Sequence, residues 1–303
     1  MSTSFLVAPS TRLHAWVLAA RPKTLSAALA PVAIAGALAY RHGVLQWQPL
    51  LLCALFAALM QVASNFINDL CDFLKGRDTE ERLGPERACA QRWITPSAMR
   101  RGIGVVLVLA CMVGLGLIPY GGWVLVGIGV VCMCFAFLYS TWLAHRGWGD
   151  VLVLLFFGLV PVVTTYYVQE PMVIPPLDVW LLALSCGFMV DALLVLNNYR
   201  DRHTDAKVGK RTLVVRLGER WGAHLYHGVG LIASILVYIS FRSNALIGIL
   251  ALIPYIFHLR NYTRMLRIRE GRALNMLLGA TSRVILLFTV VVILCCVLAK
   301  CYA

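Results

Sequence analysis

The chain has 303 residues, of which 60% are hydrophobic and only 14% charged, and its net charge is +13. Its mean hydropathy of +0.78 and its 60% hydrophobic content exclude an ordinary soluble domain, in which about half of the residues are apolar. Apolar stretches long enough to cross a bilayer recur along the whole chain, which predicts a helical membrane protein with several spans. The ten cysteines form no Cys-x-x-Cys pair, so we expect small buried side chains and no disulfides.

Nine of these stretches are candidate transmembrane helices, and we expect one domain covering residues 1–303. Residues 1–20 lack the ordered basic, apolar and small-residue parts of a cleavable signal peptide. The predicted spans lie at about residues 24–41, 48–68, 102–120, 123–142, 150–168, 178–198, 223–241, 244–258 and 275–299.

The lysines and arginines between the spans predict how the chain is oriented in the membrane. With the N-terminus in the cytoplasm, 23 of the 27 basic residues fall in cytoplasmic segments. Only Arg41, Arg242 and Lys300 fall on the opposite side, and Arg283 lies within the last span. These basic loops explain the positive charge without a nucleic-acid partner. We therefore expect an integral protein of the lipid bilayer with a cytoplasmic N-terminus.

A first polar cluster, residues 65–78, stands at the end of the second predicted span, where polar residues are least expected. At about 100° per residue, four of its side chains fall within roughly 100° of one helix face. At such a depth these side chains point into a bundle and not towards lipid. Gly76 then allows a turn, from which Asp78 can fold back. The four side chains are those of Asn65, Asn68, Asp69 and Asp72.

A second polar cluster follows the sixth predicted span. Asn197, Asp201 and Asp205 are spaced by four and share one helix face, and Asn198 lies beside them. Carboxylates that converge at one membrane face repel one another, which a cation relieves. A few carboxylates, completed by water and phosphate oxygens, suit Mg²⁺. The two clusters together predict a magnesium-bound diphosphate, whereas a capped, solvated helix end would explain either cluster alone.

Basic residues accompany both clusters, as the developing charge of a leaving diphosphate requires. Lys75 and Arg87 follow the first cluster, and Arg200, Lys210 and Arg211 surround the second. Most basic loop residues serve as topology determinants, but those interleaved with the acids are candidate diphosphate ligands.

Residues 21–25, 68–78, 84–87 and 197–213 together resemble the UbiA superfamily of intramembrane prenyltransferases. The resemblance extends over about residues 20–220 and is closest to the MenA branch, which prenylates 1,4-dihydroxy-2-naphthoate in menaquinone synthesis. Asp78 follows Asp72 by six residues, whereas the last two aspartates of the general superfamily motif are four residues apart. The spacing of six is similar to that in the MenA branch.

The resemblance implies an all-α bundle of nine transmembrane helices around a central cavity, in a bacterial cytoplasmic (inner) membrane. It implies that a polyprenyl chain passes from its diphosphate to 1,4-dihydroxy-2-naphthoate with Mg²⁺ as cofactor. Pyrophosphate and carbon dioxide are released, and demethylmenaquinone results. The mouth of the active site would face the cytoplasm.

The resemblance also assigns roles to residues. Metal would be bound by Asp69, Asp72, Asp78, Asp201 and Asp205, all of which except Asp78 are candidate catalytic residues. Diphosphate would be bound by Asn65, Asn68, Lys75, Arg87, Asn197, Asn198, Arg200, Lys210 and Arg211.

Two further residues have alternative interpretations. Tyr139, at the cytoplasmic end of the fourth span, would stabilise an allylic cation with its ring face or would be an interfacial tyrosine. Asp191 lies in mid-span on the same side as Asp201. It would be a catalytic base towards the acceptor hydroxyl or a structural acid.

Two other functions remain open at the level of sequence. A sister enzyme that acts on 4-hydroxybenzoate, homogentisate or haem would share the aspartates. A cation transporter would also gather acids and amides, but it would place them nearer the bilayer centre and would not need the basic loops.

Overall fold

The structure, a computed structural model that describes residues 9–76 and 83–302, is built of helices, and no strand occurs within these two ranges. This confirms the predicted all-α class. The helices are α1 (Arg12–Ala20), α2 (Leu25–His42), α3 (Trp47–Leu74), α4 (Pro96–Leu115), α5 (Ile118–Gly121), α6 (Val124–Leu138), α7 (Gly149–Leu154), α8 (Val160–Tyr167), α9 (Leu177–Lys207), α10 (Leu213–Ser240), α11 (Ala245–Leu250), α12 (Ile253–Ile268) and α13 (Leu274–Cys301).

Nine helical segments in the described part of the chain are long and apolar enough to cross a membrane, as the sequence predicts. A bilayer core contains no water, so each backbone amide must be satisfied within its own segment, which a helix achieves. The protein is an integral membrane protein. The segments are Arg12–His42, Trp47–Leu74, Pro96–Leu115, Val124–Arg146, Gly149–Tyr167, Leu177–Lys207, Leu213–Ser240, Ala245–Ile268 and Leu274–Cys301.

The helices that carry the polar clusters extend beyond the predicted spans. α3 continues to Leu74 and α9 continues to Lys207, several residues past the predicted ends at 68 and 198. Hydropathy misses these last turns because they are polar. Gly76 has a φ of +63°, so the predicted turn after α3 is confirmed.

α9 is the central helix of the bundle and contacts α2, α7, α8, α10 and α13. Leu182, Met189 and Leu196 are fully buried along it because neighbouring helices shield them from lipid. A close crossing depends on Gly158, where an added Cβ would lie 2.6 Å from the backbone oxygen of Ala183. Neighbouring helices on all sides fix the position of the polar residues at the end of α9.

Two wider, π-helical turns interrupt the helices on one side of α9, at Tyr139–Leu143 and Leu155–Leu159. Such turns are rare and frequently accompany functional sites. Between them the chain bends at Gly147, whose φ is +83°. The stretch from α6 to α7 is therefore not one continuous helix.

The opposite end of α9 carries a separate polar network. Asp178 Oδ2 accepts a hydrogen bond from Arg41 Nη1 at 3.2 Å and lies 3.0 Å from His42 Nε2. At about 1.5 Å per residue, Asp178 is roughly 35 Å along the helix from Asp201. Asp178 is therefore a paired carboxylate remote from both polar clusters.

Candidate functional site

Two adjoining cavities lie inside the bundle. The apolar cavity, of about 940 Å³, is lined mainly by α3, α4, α6, α8 and α9. The polar cavity, of about 540 Å³, is lined by the ends of α3 and α9, the loop after α3, and the segment between α6 and α7. The residues that line both cavities, and so mark their junction, are Arg21, Asn68, Pro85, Tyr139, Leu194, Asn197 and Arg200.

α3 brings three of its four predicted polar side chains to these cavities. Asn68 and Asp72 line the polar cavity, and Asn65 lines the apolar one. The Asn65 amide donates to the backbone oxygen of Ala20 at 2.9 Å and to Thr24 Oγ1 at 3.0 Å. Asn65 therefore ties α3 to the turn before α2, while Asn68 and Asp72 face the polar cavity.

Asp69, the fourth polar side chain, is not among the residues that line either cavity. It is 1% exposed, and its two oxygens accept the backbone N–H groups of Ala88 and Cys89, each at 2.9 Å. These charge-assisted bonds hold the loop after α3 against the helix. The same loop carries Arg87, whose Nη2 donates to Asp72 Oδ2 at 2.5 Å. Asp69 thus positions the loop that brings Arg87 to Asp72.

The second cluster is organised around Arg200. Its Nε and Nη2 donate to the two carboxylate oxygens of Asp201 at 2.7 and 2.5 Å. Nη2 also donates to Asn197 Oδ1 at 2.8 Å. The side chain of Arg200 is almost completely buried, so this bidentate ion pair has a fixed geometry.

Asn275 of α13 joins the two clusters, a role that hydropathy could not indicate. Its Oδ1 accepts a hydrogen bond from Arg200 Nη1 at 2.8 Å, and its Nδ2 donates to the backbone oxygen of Leu83 at 2.9 Å. Leu83 lies in the loop that Asp69 anchors. One amide side chain therefore connects the loop after α3 with the arginine of α9.

Asp205 completes this side of the polar cavity. Lys210 Nζ donates to Asp205 Oδ2 at 2.9 Å, and Asn198 lines the cavity beside them. Each acid on this side thus has a basic partner. We name as the paired set Asp72 with Arg87, Asp201 with Arg200, and Asp205 with Lys210.

Three further predicted site residues do not line the cavities, and a fourth, Asp78, is not described. Lys75 is exposed and donates to the backbone oxygen of Thr141 at 2.6 Å. Arg211 is exposed too, and neither basic residue is among those lining the cavities. Asp191 is buried at 2% exposure, and it also does not line them. Asp78 lies outside the described residues. The proposed roles of all four stay predictions.

An acid that the sequence analysis did not select, Asp150, lines the polar cavity. Tyr139 stands at the junction of the cavities and is within electrostatic range of Asp150, Asp191, Asp72 and Asp205. It therefore lies near acids of both polar clusters and near Asp150. The only sequence signal for Asp150 is an acid at the first residue of the fifth predicted span.

The oxygen donors at the polar cavity fit Mg²⁺. Within residues 9–76 and 83–302, no three His, Cys, Asp or Glu side chains form a ready-made metal cage. Mg²⁺ usually needs only one or two carboxylates, with water and substrate phosphate completing its shell. Asp72, Asp201 and Asp205 supply those carboxylates, and Asn68 and Asn197 add amide oxygens beside them.

The fold is shared with a solved structure. A UbiA homolog from Archaeoglobus fulgidus bound to DMAPP and Mg²⁺ has a TM-score of 0.63 and 16% sequence identity, and the match covers 93% of this chain and 99% of that one. At this identity the similarity concerns the fold alone.

Sequence comparison defines the family. The pattern of the UbiA prenyltransferase family matches residues 28–278, so the chain belongs to this family. The 1,4-dihydroxy-2-naphthoate octaprenyltransferase of Escherichia coli (strain K12) is 36% identical over 234 residues, which is 74% of this chain and 75% of that protein. The Mycobacterium tuberculosis protein of the same name is 36% identical over 231 residues, 74% of this chain and 77% of its own.

Proposed function

We propose that this protein transfers a polyprenyl chain from a polyprenyl diphosphate to 1,4-dihydroxy-2-naphthoate, releasing pyrophosphate and carbon dioxide. The observation that carries the proposal is the paired set, which lines a polar cavity adjoining a large apolar one. A polyprenyl diphosphate is divided in the same way, into a charged head and an apolar tail. The two relatives named for this acceptor support the naphthoate as second substrate.

The apolar cavity suits the prenyl tail. Its volume of about 940 Å³ is at the upper end of the roughly 300–1,000 Å³ typical of ligand pockets. Phe56, Phe156 and Phe157 are among the side chains that line it. Burying an isoprenoid against such side chains is favoured by about 25 cal/mol for each Å² of apolar surface.

The paired set suits the diphosphate head. Mg²⁺ bound by Asp72, Asp201 and Asp205 would neutralise the charge of the leaving diphosphate. Arg87 and Arg200 balance these carboxylates before substrate arrives. With substrate bound, their guanidinium groups turn to phosphate oxygens, to which each donates parallel hydrogen bonds.

The reacting carbon belongs at the junction of the cavities. The bond between prenyl C1 and the diphosphate oxygen breaks, and both electrons leave on pyrophosphate. Tyr139 lines both cavities there, and its ring face stabilises the allylic cation. The naphthoate ring bonds to C1 and loses its carboxylate as carbon dioxide. The product is the quinol form of demethylmenaquinone.

The proposal is tested by offering purified protein one polyprenyl diphosphate, Mg²⁺ and several acceptors in parallel: 1,4-dihydroxy-2-naphthoate, 4-hydroxybenzoate and homogentisate. We expect pyrophosphate release with the naphthoate, and a product whose mass shows the added prenyl chain and the lost carbon dioxide. Preferential prenylation of another acceptor would refute the naphthoate assignment.

We also propose that the polar cavity opens to the cytoplasm of a bacterial cell, because the basic residues concentrate at the ends that carry the clusters. On a cysteine-free background, a cysteine placed at Arg92 should be shielded from an impermeant thiol reagent outside intact cells. A cysteine at Ser243, in the loop after α10, should react. The reverse labelling pattern would invert the orientation.

A further inference from the structure

Asp150 is a buried carboxylate at the wall of the polar cavity. It is 7% exposed and lines the cavity from the second position of α7. Neither of its carboxylate oxygens has a hydrogen-bond partner in the described part of the protein. A buried charge in this state is costly for the fold, which indicates that a ligand completes it.

Ser140 lies on the same wall and shares this property. Its side chain is 1% exposed, it lines the polar cavity, and its Oγ also has no hydrogen-bond partner among the described residues. The π-helical turn at Tyr139–Leu143 carries Ser140, and the bend at Gly147 precedes Asp150. We name Ser140 and Asp150 the unpaired set.

The chemistry of the unpaired set restricts its ligand. An ionised carboxylate only accepts hydrogen bonds, so the ligand must donate them. A diphosphate carries negative charge and acceptor oxygens, so an ionised Asp150 repels it. Asp191, which is buried, is close enough to Asp150 to interact with it electrostatically. A ring hydroxyl group is an uncharged donor, so Asp150 can accept its hydrogen bond.

We propose that Asp150 binds the aromatic acceptor by accepting a hydrogen bond from a ring hydroxyl, and that Ser140 contributes a second, weaker contact. This inference rests on the proposed function, which supplies a dihydroxylated naphthoate as acceptor. The acceptor then lies against Tyr139, between the unpaired set and the junction where prenyl C1 is placed.

The test measures binding, not turnover. The dissociation constants of 1-hydroxy-2-naphthoate and 2-naphthoate, which differ by one hydroxyl, are measured on wild type, Asp150→Asn and Asp150→Ala. We expect wild type to prefer the hydroxylated ligand by about tenfold or more, as for a hydrogen bond to a charged group. Asp150→Ala should remove most of this preference. Asp150→Asn, which keeps a neutral acceptor oxygen, should be intermediate.

Two controls separate ligand binding from structural support. Affinity for a prenyl diphosphate with Mg²⁺ should change less than about twofold in both variants, and Tm should stay the same or rise because an unpartnered buried charge is removed. An unchanged hydroxyl preference, or an equal loss of prenyl diphosphate binding, would overturn the inference. If neither variant folds, Ser140→Ala replaces them, and it should reduce the preference by about threefold.

The inference and the proposed function fail in different ways. If wild type makes the decarboxylated product and the hydroxyl preference is independent of residue 150, only the inference is wrong. If the preference depends on residue 150 but the naphthoate is not prenylated, the binding role of Asp150 is supported and the proposed acceptor is wrong.

Discussion

The two sides of the polar cavity hold their carboxylates in opposite states. In the paired set, Asp72, Asp201 and Asp205 each contact a basic side chain at 2.9 Å or less. In the unpaired set, neither oxygen of Asp150 has a hydrogen-bond partner among the residues described. Under the two proposals above, one residue type serves two ligands of opposite hydrogen-bonding character within one cavity.

The physical reason lies in what each side exchanges when substrate binds. On the paired side, we propose that a metal ion and phosphate oxygens replace contacts that carboxylates and guanidinium groups already make with each other. On the unpaired side, the proposed hydroxyl supplies a contact that Asp150 does not make with any of the described residues. An unsatisfied buried polar group costs about 1–3 kcal/mol, so the unpaired side gains most from binding a donor.

Removing divalent metal should have the largest effect and should act on the paired side alone. With EDTA present, we expect prenyl transfer to fall to background, because charge on the leaving diphosphate is no longer neutralised. Added Mg²⁺ should restore it, and binding of 1-hydroxy-2-naphthoate should be unaffected. Turnover at the wild-type rate in EDTA would contradict metal binding by the carboxylates of the paired set.

Asp201→Asn should lower turnover by about 100-fold or more, in line with the loss of a charged group that acts in the transition state. Arg200 keeps its contacts with Asn197 and Asn275, so the protein should remain folded. The matched control is Asp178→Asn, which also breaks a carboxylate–arginine contact but lies at the opposite end of α9. Equal losses of activity in both variants would contradict a specific role for Asp201.

Asp69→Asn should lower stability more than it lowers the intrinsic rate. One of the two backbone N–H groups loses its carboxylate acceptor, which lowers the free energy of unfolding by about 2 kcal/mol. The loop that carries Arg87 is then held less firmly against α3. We expect a lower Tm and faster proteolysis near Ala88, with activity restored in part at high prenyl diphosphate concentration. A large loss of turnover at normal Tm would instead favour the metal-binding role predicted from sequence.

Lys210→Ala and Arg211→Ala should show the smallest effects and differ from each other. Lys210 neutralises Asp205 at the cavity, so its loss should raise the KM for prenyl diphosphate by about fivefold, as for a partly exposed charged contact. Arg211 lines neither cavity, and its replacement should change KM by less than about twofold. Equal effects would indicate that the whole loop, and not Lys210, determines binding.

Hydropathy predicted the fold well because the bilayer admits so few structures. The nine spans follow from apolar runs, since helices in lipid must satisfy their own backbone. The last turns of α3 and α9 fall outside the predicted spans because they are polar and hydropathy detects only apolar runs. The π-helical turns at Tyr139–Leu143 and Leu155–Leu159 leave no periodic signal in the sequence.

Sequence spacing alone could not show which of the acids on one helix face lines the cavity. Asp69 and Asp72 fall in the same predicted arc, but the loop after α3 folds back so that its backbone N–H groups meet Asp69. Asp150 has little sequence signal, because an acid at the start of a helix ordinarily interacts favourably with the helix dipole. Its significance depends on the absence of a partner within the described residues, which only the three-dimensional arrangement reveals.

The most direct test of the two-sided cavity measures two ligands on two variants side by side. Calorimetric titration of Asp201→Asn and Asp150→Ala with a prenyl diphosphate in Mg²⁺, and separately with 1-hydroxy-2-naphthoate, gives four affinities to compare with wild type. We predict a crossed result: Asp201→Asn weakens only the diphosphate, and Asp150→Ala weakens only the naphthoate. If each variant weakened both ligands to the same extent, the division of the cavity would be contradicted.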